Sequence, residues 1–140
     1  AYTLMPAELV DYGLKVALLS LSEQIEKTAE IHIEVMLKFD ENQLDAKIRS
    51  NLYRITQEAI KNAIQHGRSD EILIDYKAEN NFLKCIIKDN GIGVDLKKLD
   101  TNKSLGFRNM KARVEAMSGD ITLNSTLRNG LEILITVPLN

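Results

Sequence analysis

The chain of 140 residues is long enough for one domain with a hydrophobic core, and its 44% hydrophobic and 27% charged residues are ordinary for a soluble globular protein. The formal net charge of −2 gives no reason to expect nucleic acid or an anionic membrane as the main partner. No apolar run approaches the length of a membrane span. The single cysteine, Cys85, lies in an apolar stretch and is interpreted as core filler in a reducing compartment. One cysteine and two histidines cannot readily build a zinc site.

Helix-type and strand-type patterns of apolar residues alternate along the chain. In chain order we predict a helix over residues 13–30, a strand over 31–37, a helix over 45–67, strands over 71–78 and 81–89, a helix over 106–119 and strands over 120–126 and 131–139. Residues 94–104 are polar and rich in lysine, which predicts a loop. Helices mixed with mostly antiparallel strands predict an α+β fold, a two-layer α/β sandwich in which a mixed sheet packs on three helices.

A first polar cluster lies on the long predicted helix. Glu58, Asn62 and His66 are spaced by four residues, so they occupy neighbouring positions on one side of the helix. Polar residues at the margin of an apolar stripe often do no more than cover the edge of a core. The alternative is a metal–phosphate site, because the amide oxygen of Asn62 suits Mg²⁺ and Glu58 can position a water or a proton.

A second cluster, DNGIG, begins at the end of the predicted strand 81–89. Asp89 has the same parity as the apolar residues of that strand, so its carboxylate is predicted to point inward, where it needs a partner. Gly91 and Gly93 allow the backbone to turn and a ligand to approach without a Cβ in the way. The spacing alone is a weak signal. An EF-hand loop is excluded because the further oxygen ligands and the closing glutamate are missing.

A third cluster, SLGFRNMK, opens the predicted helix 106–119. Gly106 stands at the helix N-terminus, where free backbone N–H groups favour an anion, and Arg108 and Lys111 add positive charge. Phe107 is counted with Gly106 and Arg108 as a candidate cofactor contact. Taken alone, a glycine-containing loop before a core helix explains this segment at least as well.

Taken in order, the three clusters resemble the N-box, G1 box and G2 box of the Bergerat ATP-binding fold. That superfamily includes gyrase, heat-shock chaperones, mismatch-repair ATPases and histidine kinases. YRITQEAIKNAIQHG is similar to the N-box of one histidine-kinase subfamily, whose partner regulators carry NarL/LuxR-type DNA-binding domains. LGFRNMKARVEAMSGDI is similar to its G2 region, and LMPAELVDYGL resembles the segment that joins the dimerisation helices to the ATP-binding domain. The resemblance covers about residues 4–139.

The resemblance implies ATP and Mg²⁺ as cofactors, with the phosphates near the N-box and the G2 box. Asn62 would ligate the magnesium, and Glu58 would be the catalytic or water-ordering group beside the phosphates. His66 would lie near the ribose or the phosphates, and Gly106 would approach the triphosphate.

At the other end of the nucleotide, the resemblance implies that the G1 box binds the base. Asp89 would accept a hydrogen bond from the adenine amino group, which gives the inward carboxylate a partner. Gly91 and Gly93 would admit the adenine.

The resemblance implies the catalytic domain of a sensor histidine kinase, with residues 1–13 as a linker from missing dimerisation helices and residues 14–140 as the ATP-binding domain. The γ-phosphoryl group would pass to a histidine outside the chain, because His32 alternates outward in a strand and His66 belongs to the N-box.

The implied partners are the parent protein's own dimerisation and phosphoacceptor domain and a response regulator with a DNA-binding output domain. The parent protein is expected to be a homodimer anchored in the inner or plasma membrane. This domain would face the cytoplasm and touch neither nucleic acid nor membrane.

Three departures from the family pattern leave other functions open. Gln65 stands where many members have a basic residue, Ser104-Leu105-Gly106 replaces a Gly-x-Gly, and Gly130-Leu131 replaces a Gly-Thr. These departures motivate a non-catalytic nucleotide-binding module that regulates a partner. A serine kinase of the anti-sigma-factor type would share the fold, although the linker-like LMPAELVDYGL argues against it.

Overall fold

Helices and strands alternate along the chain in the computed structural model, which describes residues 6–97, 104–125 and 128–139. In chain order the elements are α1 (Ala7–Tyr12), α2 (Leu14–Ala29), β1 (His32–Lys38), a 3₁₀ turn (Glu41–Gln43), α3 (Ala46–Gln65), β2 (Glu71–Glu79), β3 (Phe82–Asp89), α4 (Leu105–Ala116), β4 (Asp120–Ser125) and β5 (Leu131–Pro138). Every predicted helix and strand is present. The sequence patterns missed α1 and the 3₁₀ turn. Residues 94–97 have no regular structure, as predicted, whereas residues 98–103 of the predicted loop lie outside the described residues.

The strands form one five-stranded sheet in the order β1-β2-β3-β5-β4. β1 runs parallel to β2, and the other neighbouring pairs are antiparallel. Parallel neighbours need a crossover connection, and α3 lies in the segment that connects these two strands. The sheet is therefore mixed and mostly antiparallel, and the predicted α+β fold is confirmed.

One face of the sheet and the apolar stripes of α2, α3 and α4 form the hydrophobic core. On α3 the buried residues include the apolar stripe of Ile48, Leu52, Ile55, Ala59 and Ala63. Cys85 is fully buried in β3, and this burial raises the pKa of its thiol above the ordinary value. The cysteine is therefore a core side chain with little thiolate at neutral pH, as interpreted from the sequence.

A polar pair lies inside this core between α3 and β2. The hydroxyl groups of Thr56 and Tyr76 are fully buried and hydrogen-bonded to each other. Thr56 Oγ1 also donates to the Leu52 carbonyl oxygen at 2.7 Å, so the Tyr76 hydroxyl must be the donor to Thr56. Burial raises the pKa of Tyr76 well above its ordinary value, which keeps that donor protonated. The bond fixes α3 on the sheet two residues before Glu58.

The segment predicted to be a linker contains α1, which ends at Gly13. Gly13 has a φ of 97°, and a Cβ there would lie 2.7 Å from the Glu41 carboxylate. Glu41 Oε1 accepts a hydrogen bond from the Lys15 backbone N–H at 2.6 Å. The 3₁₀ turn thus supplies the helix cap that Gly13, which has no side chain, cannot give α2. Across the described residues, no helix combines the length and apolar character needed to cross a membrane.

Candidate functional site

A cavity of about 640 Å³ lies where α3, the N-terminus of α4 and the ends of β3 and β5 meet. Its volume falls in the range of small-molecule and cofactor sites. Most of the predicted site residues line it, namely Glu58, Asn62, His66, Asp89, Gly93, Gly106 and Phe107. Gly91 and Arg108 are not among the lining residues. The cavity therefore brings all three sequence clusters together.

The α3 wall presents its polar side to the cavity. Glu58 and Asn62 are half-buried, one turn apart, and Lys61 and Gln65 line the same wall. Among the described residues, the side chains of Glu58 and Asn62 have no hydrogen-bond partner. The helix ends just after this wall, where the backbone N–H groups of residues 66 and 67 both donate to the Asn62 carbonyl oxygen at 2.9 and 3.1 Å. The polar side chains are therefore held by a rigid helix but are left without protein partners.

The N-terminus of α4 packs directly against this wall. A Cβ at Gly106 would lie 2.8 Å from Glu58 Oε1 and 3.0 Å from Asn62 Nδ2. Ser104 precedes α4 without making a side-chain cap hydrogen bond. The glycine thus brings the backbone of the first helical turn next to Glu58 and Asn62, and the N–H groups of that turn favour negative charge.

Asp89 forms the opposite end of the cavity, at the end of β3. Its carboxylate is half-buried, and Oδ1 accepts hydrogen bonds from the backbone N–H of Gly91 at 2.8 Å and of Leu131 at 3.3 Å. The sequence pattern predicted that this inward carboxylate needs a partner, and two backbone N–H groups therefore satisfy one of its oxygens. Oδ2 has no hydrogen-bond partner among the described residues, which leaves one oxygen for a ligand.

Gly130 controls the approach of β5 to this carboxylate, and the sequence patterns missed that role. Its φ is 79°, and a Cβ there would lie 1.8 Å from the Asp89 carbonyl oxygen. The sequence Arg128-Asn129-Gly130 signals a hairpin turn. Nothing in that signal indicates contact with a residue so far away in the chain, because the contact depends on the pairing of β3 with β5.

Gly91 and Gly93 have different surroundings. Gly91 is buried, and a Cβ there would lie 2.3 Å from the Gly67 carbonyl oxygen, so this glycine lets the turn pack against the end of α3. The Ile92 N–H donates to the same Gly67 carbonyl oxygen at 2.8 Å. Gly93 lines the cavity with a φ of 73°, a backbone conformation that glycine adopts easily.

Asn90 is a second residue whose role the sequence patterns missed. Its Oδ1 accepts hydrogen bonds from the backbone N–H groups of Asp70 at 3.1 Å and Glu71 at 3.0 Å, and its Nδ2 donates to Asp70 Oδ1 at 2.6 Å. An asparagine after a strand is a recognisable turn signal. Its partners at the start of β2 become evident only in the folded sheet.

The two residues after Gly106 point in different directions. Phe107 is half-buried and lines the cavity, whereas Arg108 is exposed and lies outside its lining. Ser104, Leu105 and Asn109 line the cavity as well, so the first turn of α4 contributes several residues to the wall. The charge that Arg108 adds to the G2 segment lies outside this lining.

Residues 47–140 match the family model of the histidine kinase-, DNA gyrase B- and HSP90-like ATPases. The chain belongs to this ATPase family. The matched range includes all three clusters that line the cavity, so the resemblance to the Bergerat fold is confirmed.

Curated relatives of this ATPase domain are histidine kinases. The chain is 36% identical over 140 residues to the signal transduction histidine-protein kinase/phosphatase DegS of Bacillus subtilis (strain 168), covering 96% of this chain and 36% of DegS. It is 28% identical over 136 residues to the oxygen sensor histidine kinase NreB of Staphylococcus carnosus (strain TM300), covering 97% of this chain and 39% of NreB. The chain thus spans less than half the length of each of these relatives.

A solved structure shows the same fold at lower sequence identity. The histidine kinase domain of the blue-light activated histidine kinase EL346 from Erythrobacter litoralis superposes with a TM-score of 0.74 at 19% identity. The alignment covers 89% of this chain and 62% of that one. The sandwich described above is therefore the fold of a histidine kinase ATPase domain.

The described side chains offer few ligands for a metal ion. No group of three His, Cys, Asp or Glu side chains that could hold a metal ion occurs in the described part of the chain. Mg²⁺ in nucleotide sites usually takes one or two protein oxygens together with phosphate oxygens and waters. Asn62 and Glu58, which have no protein partner in the described structure, fit that small donor set.

Proposed function

We propose that this ATPase domain binds Mg–ATP and donates the γ-phosphoryl group to a histidine on a dimerisation domain outside the chain. The proposal is carried by the convergence of Glu58, Asn62 and Gly106 at one end of a cavity that has Asp89 at the other. One end of such a cavity can bind the phosphates of a nucleotide, and the other end can bind its base. The relatives DegS and NreB are named as histidine kinases, which supports histidine as the acceptor.

In this proposal the phosphates lie between α3 and the N-terminus of α4. Asn62 gives its amide oxygen to Mg²⁺, and the backbone N–H groups around Gly106 donate to phosphate oxygens. When bound, Mg²⁺ neutralises the charge that develops on the transferring group. Glu58, which is next to Asn62 and Gly106, orders a water or accepts a proton. His66 lies at the edge of the cavity, near the ribose or the phosphates.

The base lies at the Asp89 end of the cavity. Oδ1 is occupied by two backbone donors, and Oδ2 accepts a hydrogen bond from the adenine amino group. Guanine has a carbonyl oxygen at that ring position, so two acceptors would face each other. Gly93, on the cavity wall, keeps space for the ring, whereas Gly91 acts on the base only through the position of the turn.

A substitution at Asn62 tests the metal role. We expect Asn62→Ala to weaken ATP binding in the presence of Mg²⁺ by at least about tenfold, which corresponds to about 1.4 kcal/mol, while the fold is retained. Isothermal titration calorimetry with and without Mg²⁺ measures the effect, and urea denaturation checks the fold.

Asn51→Ala is the matched control, because Asn51 is a half-buried asparagine on the same helix that does not line the cavity. Its Oδ1 accepts a hydrogen bond from Arg113 of α4 at 3.2 Å, so the variant also controls for the loss of one contact between α3 and α4. It should leave ATP affinity unchanged. An unchanged affinity of Asn62→Ala for ATP with Mg²⁺ present would rule out the metal role of this side chain.

Phosphotransfer needs a longer version of the protein that includes the upstream dimerisation helices. We expect the longer protein to label itself from ATP, whereas this chain alone binds ATP without acquiring phosphate. Acid-labile phosphate on His32 or His66 of the isolated chain would contradict the proposed division of roles.

A second candidate, a non-catalytic module whose ATP binding regulates a partner, is favoured by two residues of the cavity wall. Gln65 lines the wall without a charge, and Leu131, whose backbone N–H already donates to Asp89 Oδ1, brings no hydroxyl to the site. ATP binding without any phosphotransfer by the longer protein would select this function.

The partners follow from the proposed reaction. The acceptor domain and this domain belong to one parent protein, which we propose to be a homodimer that passes the phosphoryl group to a response regulator with a DNA-binding output domain. The parent is anchored in a membrane, and this domain works on the cytoplasmic side, where ATP is available.

A further inference from the structure

Lys61 is a cavity residue that has no role in the function proposed above. It lies on α3 next to Asn62, it lines the cavity, and its side chain is exposed. No described carboxylate approaches it closely enough for an ion pair. Its ammonium group is therefore available to a ligand that enters the cavity.

The charges around the cavity make this lysine distinctive. The lining includes two carboxylates, Glu58 and Asp89, and Lys61 is the single lysine or arginine of the lining in the described part of the chain. Arg108 lies outside the lining. Without Lys61 a polyphosphate would meet two acidic side chains and no lysine or arginine in the described cavity, where His66 would be the remaining basic side chain. Metal ions and His66 aside, the attraction of phosphate by the charges of the described lining then rests on Lys61.

The helical spacing places Lys61 beside the predicted phosphate site. It follows Glu58 by three residues and precedes Gln65 by four, and residues at these spacings are neighbours on a helix surface. A lysine side chain is long and flexible, so its ammonium can reach over the neighbouring turn. Gln65, the next residue along this wall, is uncharged and cannot supply the same attraction.

We propose that Lys61 binds the phosphate chain of the nucleotide and makes the affinity of the domain increase with the number of phosphates. This inference rests on the proposed binding of ATP in the cavity. Its ligand is a nucleoside polyphosphate, and Lys61 acts through its positive charge. An exposed lysine that is merely solvated would leave nucleotide affinity unaffected.

A nucleotide series measured on charge variants tests the proposal. Calorimetry with adenosine, AMP, ADP and ATP is carried out on the wild type, Lys61→Met and Lys61→Arg at one ionic strength and one Mg²⁺ concentration. Because a charge-assisted hydrogen bond is stronger than a neutral one, Lys61→Met should weaken ATP binding by about tenfold or more. The loss should be smaller for ADP and absent for adenosine, and Lys61→Arg should restore most of the affinity.

Lys47→Met provides the matched control. Lys47 is an exposed lysine in the first turn of the same helix and does not line the cavity. The substitution removes the same charge from the protein, about 20 Å away along the helix axis. It should leave the whole nucleotide series unchanged, so any loss specific to Lys61→Met is a local effect.

Three results separate this inference from the function on which it rests. Wild-type protein that binds ATP no better than adenosine would refute both. Wild-type protein that prefers ATP, with Lys61→Met showing the same preference, would refute the role of Lys61 alone. An equal loss for adenosine and ATP in Lys61→Met would indicate a structural effect and would also overturn the role.

Discussion

At the Asp89 end, main-chain hydrogen bonds hold the cavity, whereas at the Asn62 end the polar groups are side chains without described protein partners. Asp89 Oδ1 is fixed by two backbone donors, and the adjoining turn is fixed to Gly67 by the Ile92 N–H. Glu58 and Asn62 are positioned only by their helix. The end proposed for the base is therefore preorganised, and the end proposed for the phosphates is completed by the ligand and its metal.

Gly130→Ala is expected to have the largest effect, because it disturbs the preorganised Asp89 end of the cavity. The new methyl group would overlap the Asp89 carbonyl oxygen, and alanine would be held at a φ of 79°. Strain of this kind costs about 1–3 kcal/mol before the clash is counted, so we expect a large loss of stability together with loss of ATP binding. Urea denaturation and calorimetry measure the two effects. A variant as stable as the wild type would show that the strands can separate here without cost.

Asp89→Asn tests the preorganised end of the cavity by changing the atom that faces the ligand. The asparagine Oδ1 can keep the two backbone hydrogen bonds, so its Nδ2 replaces the oxygen that faces the ligand. An amide N–H cannot accept from adenine but can donate to guanine. We therefore expect the ATP-over-GTP preference of the wild type, about ten- to a hundredfold, to shrink or reverse while the fold is retained.

Competition binding with ATP and GTP measures this preference. Asp89→Ala serves as the comparison, because it removes both the ligand-facing atom and the acceptor for the backbone and should also lower stability. Equal ATP and GTP affinity in the wild type would show that Asp89 does not determine the base specificity of the site.

Gly106→Ala tests the ligand-completed end. The added methyl group meets only the ends of the Glu58 and Asn62 side chains, which can move aside. In contrast to Gly130→Ala, the fold should be retained because alanine suits a helix better than glycine. ATP affinity in the presence of Mg²⁺ should fall by about tenfold, since a displaced Asn62 side chain loses its proposed contact with the metal. Unfolding of this variant would mean that both ends of the cavity are held equally rigidly.

An effect that is confined to alkaline pH concerns Cys85, which shares a face of β3 with Asp89 but is fully buried. Burial raises the pKa of its thiol above the ordinary value of 9.0, so the unfolded state loses its proton first as the pH rises. The stabilisation is fully present below pH 9 and is lost above it, by about 1.4 kcal/mol between pH 8 and pH 10. Urea denaturation should give a shallower pH dependence for Cys85→Ala than for the wild type. Equal slopes would mean that water reaches this strand as far as Cys85.

The sequence predicted the helices and strands of the fold well, because the apolar stripe on α3 and the alternation in the strands have clear periods. It also placed Glu58, Asn62, Asp89 and Gly106 in one site, although their assembly rested on a family resemblance. The α1 helix was missed because six residues are too few for a periodic signal.

The supporting roles of Asn90 and Gly130 could not be predicted for a different reason. Both act through contacts with residues distant in the chain, at the start of β2 and the end of β3. Such contacts depend on strand pairing, and turn signals in the sequence do not specify it. Arg108 was predicted as a cofactor contact, and its position outside the cavity lining depends on how α4 packs in the fold.

The parallel pairing of β1 with β2 has a consequence for the order of folding. β1 is an edge strand whose one neighbour is β2, and residues 39–70, which include α3, separate the two in the chain. Closing so long a connection costs entropy before any strand contact forms, whereas the β2–β3 and β4–β5 pairs are joined by short connections. The hairpins can therefore form from local contacts, whereas the β1–β2 pair, like the β3–β5 pair across residues 90–130, needs closure of a long connection. Because α3 lies within the connection between β1 and β2, we expect the helix that presents Glu58 and Asn62 to dock before β1 joins the edge of the sheet.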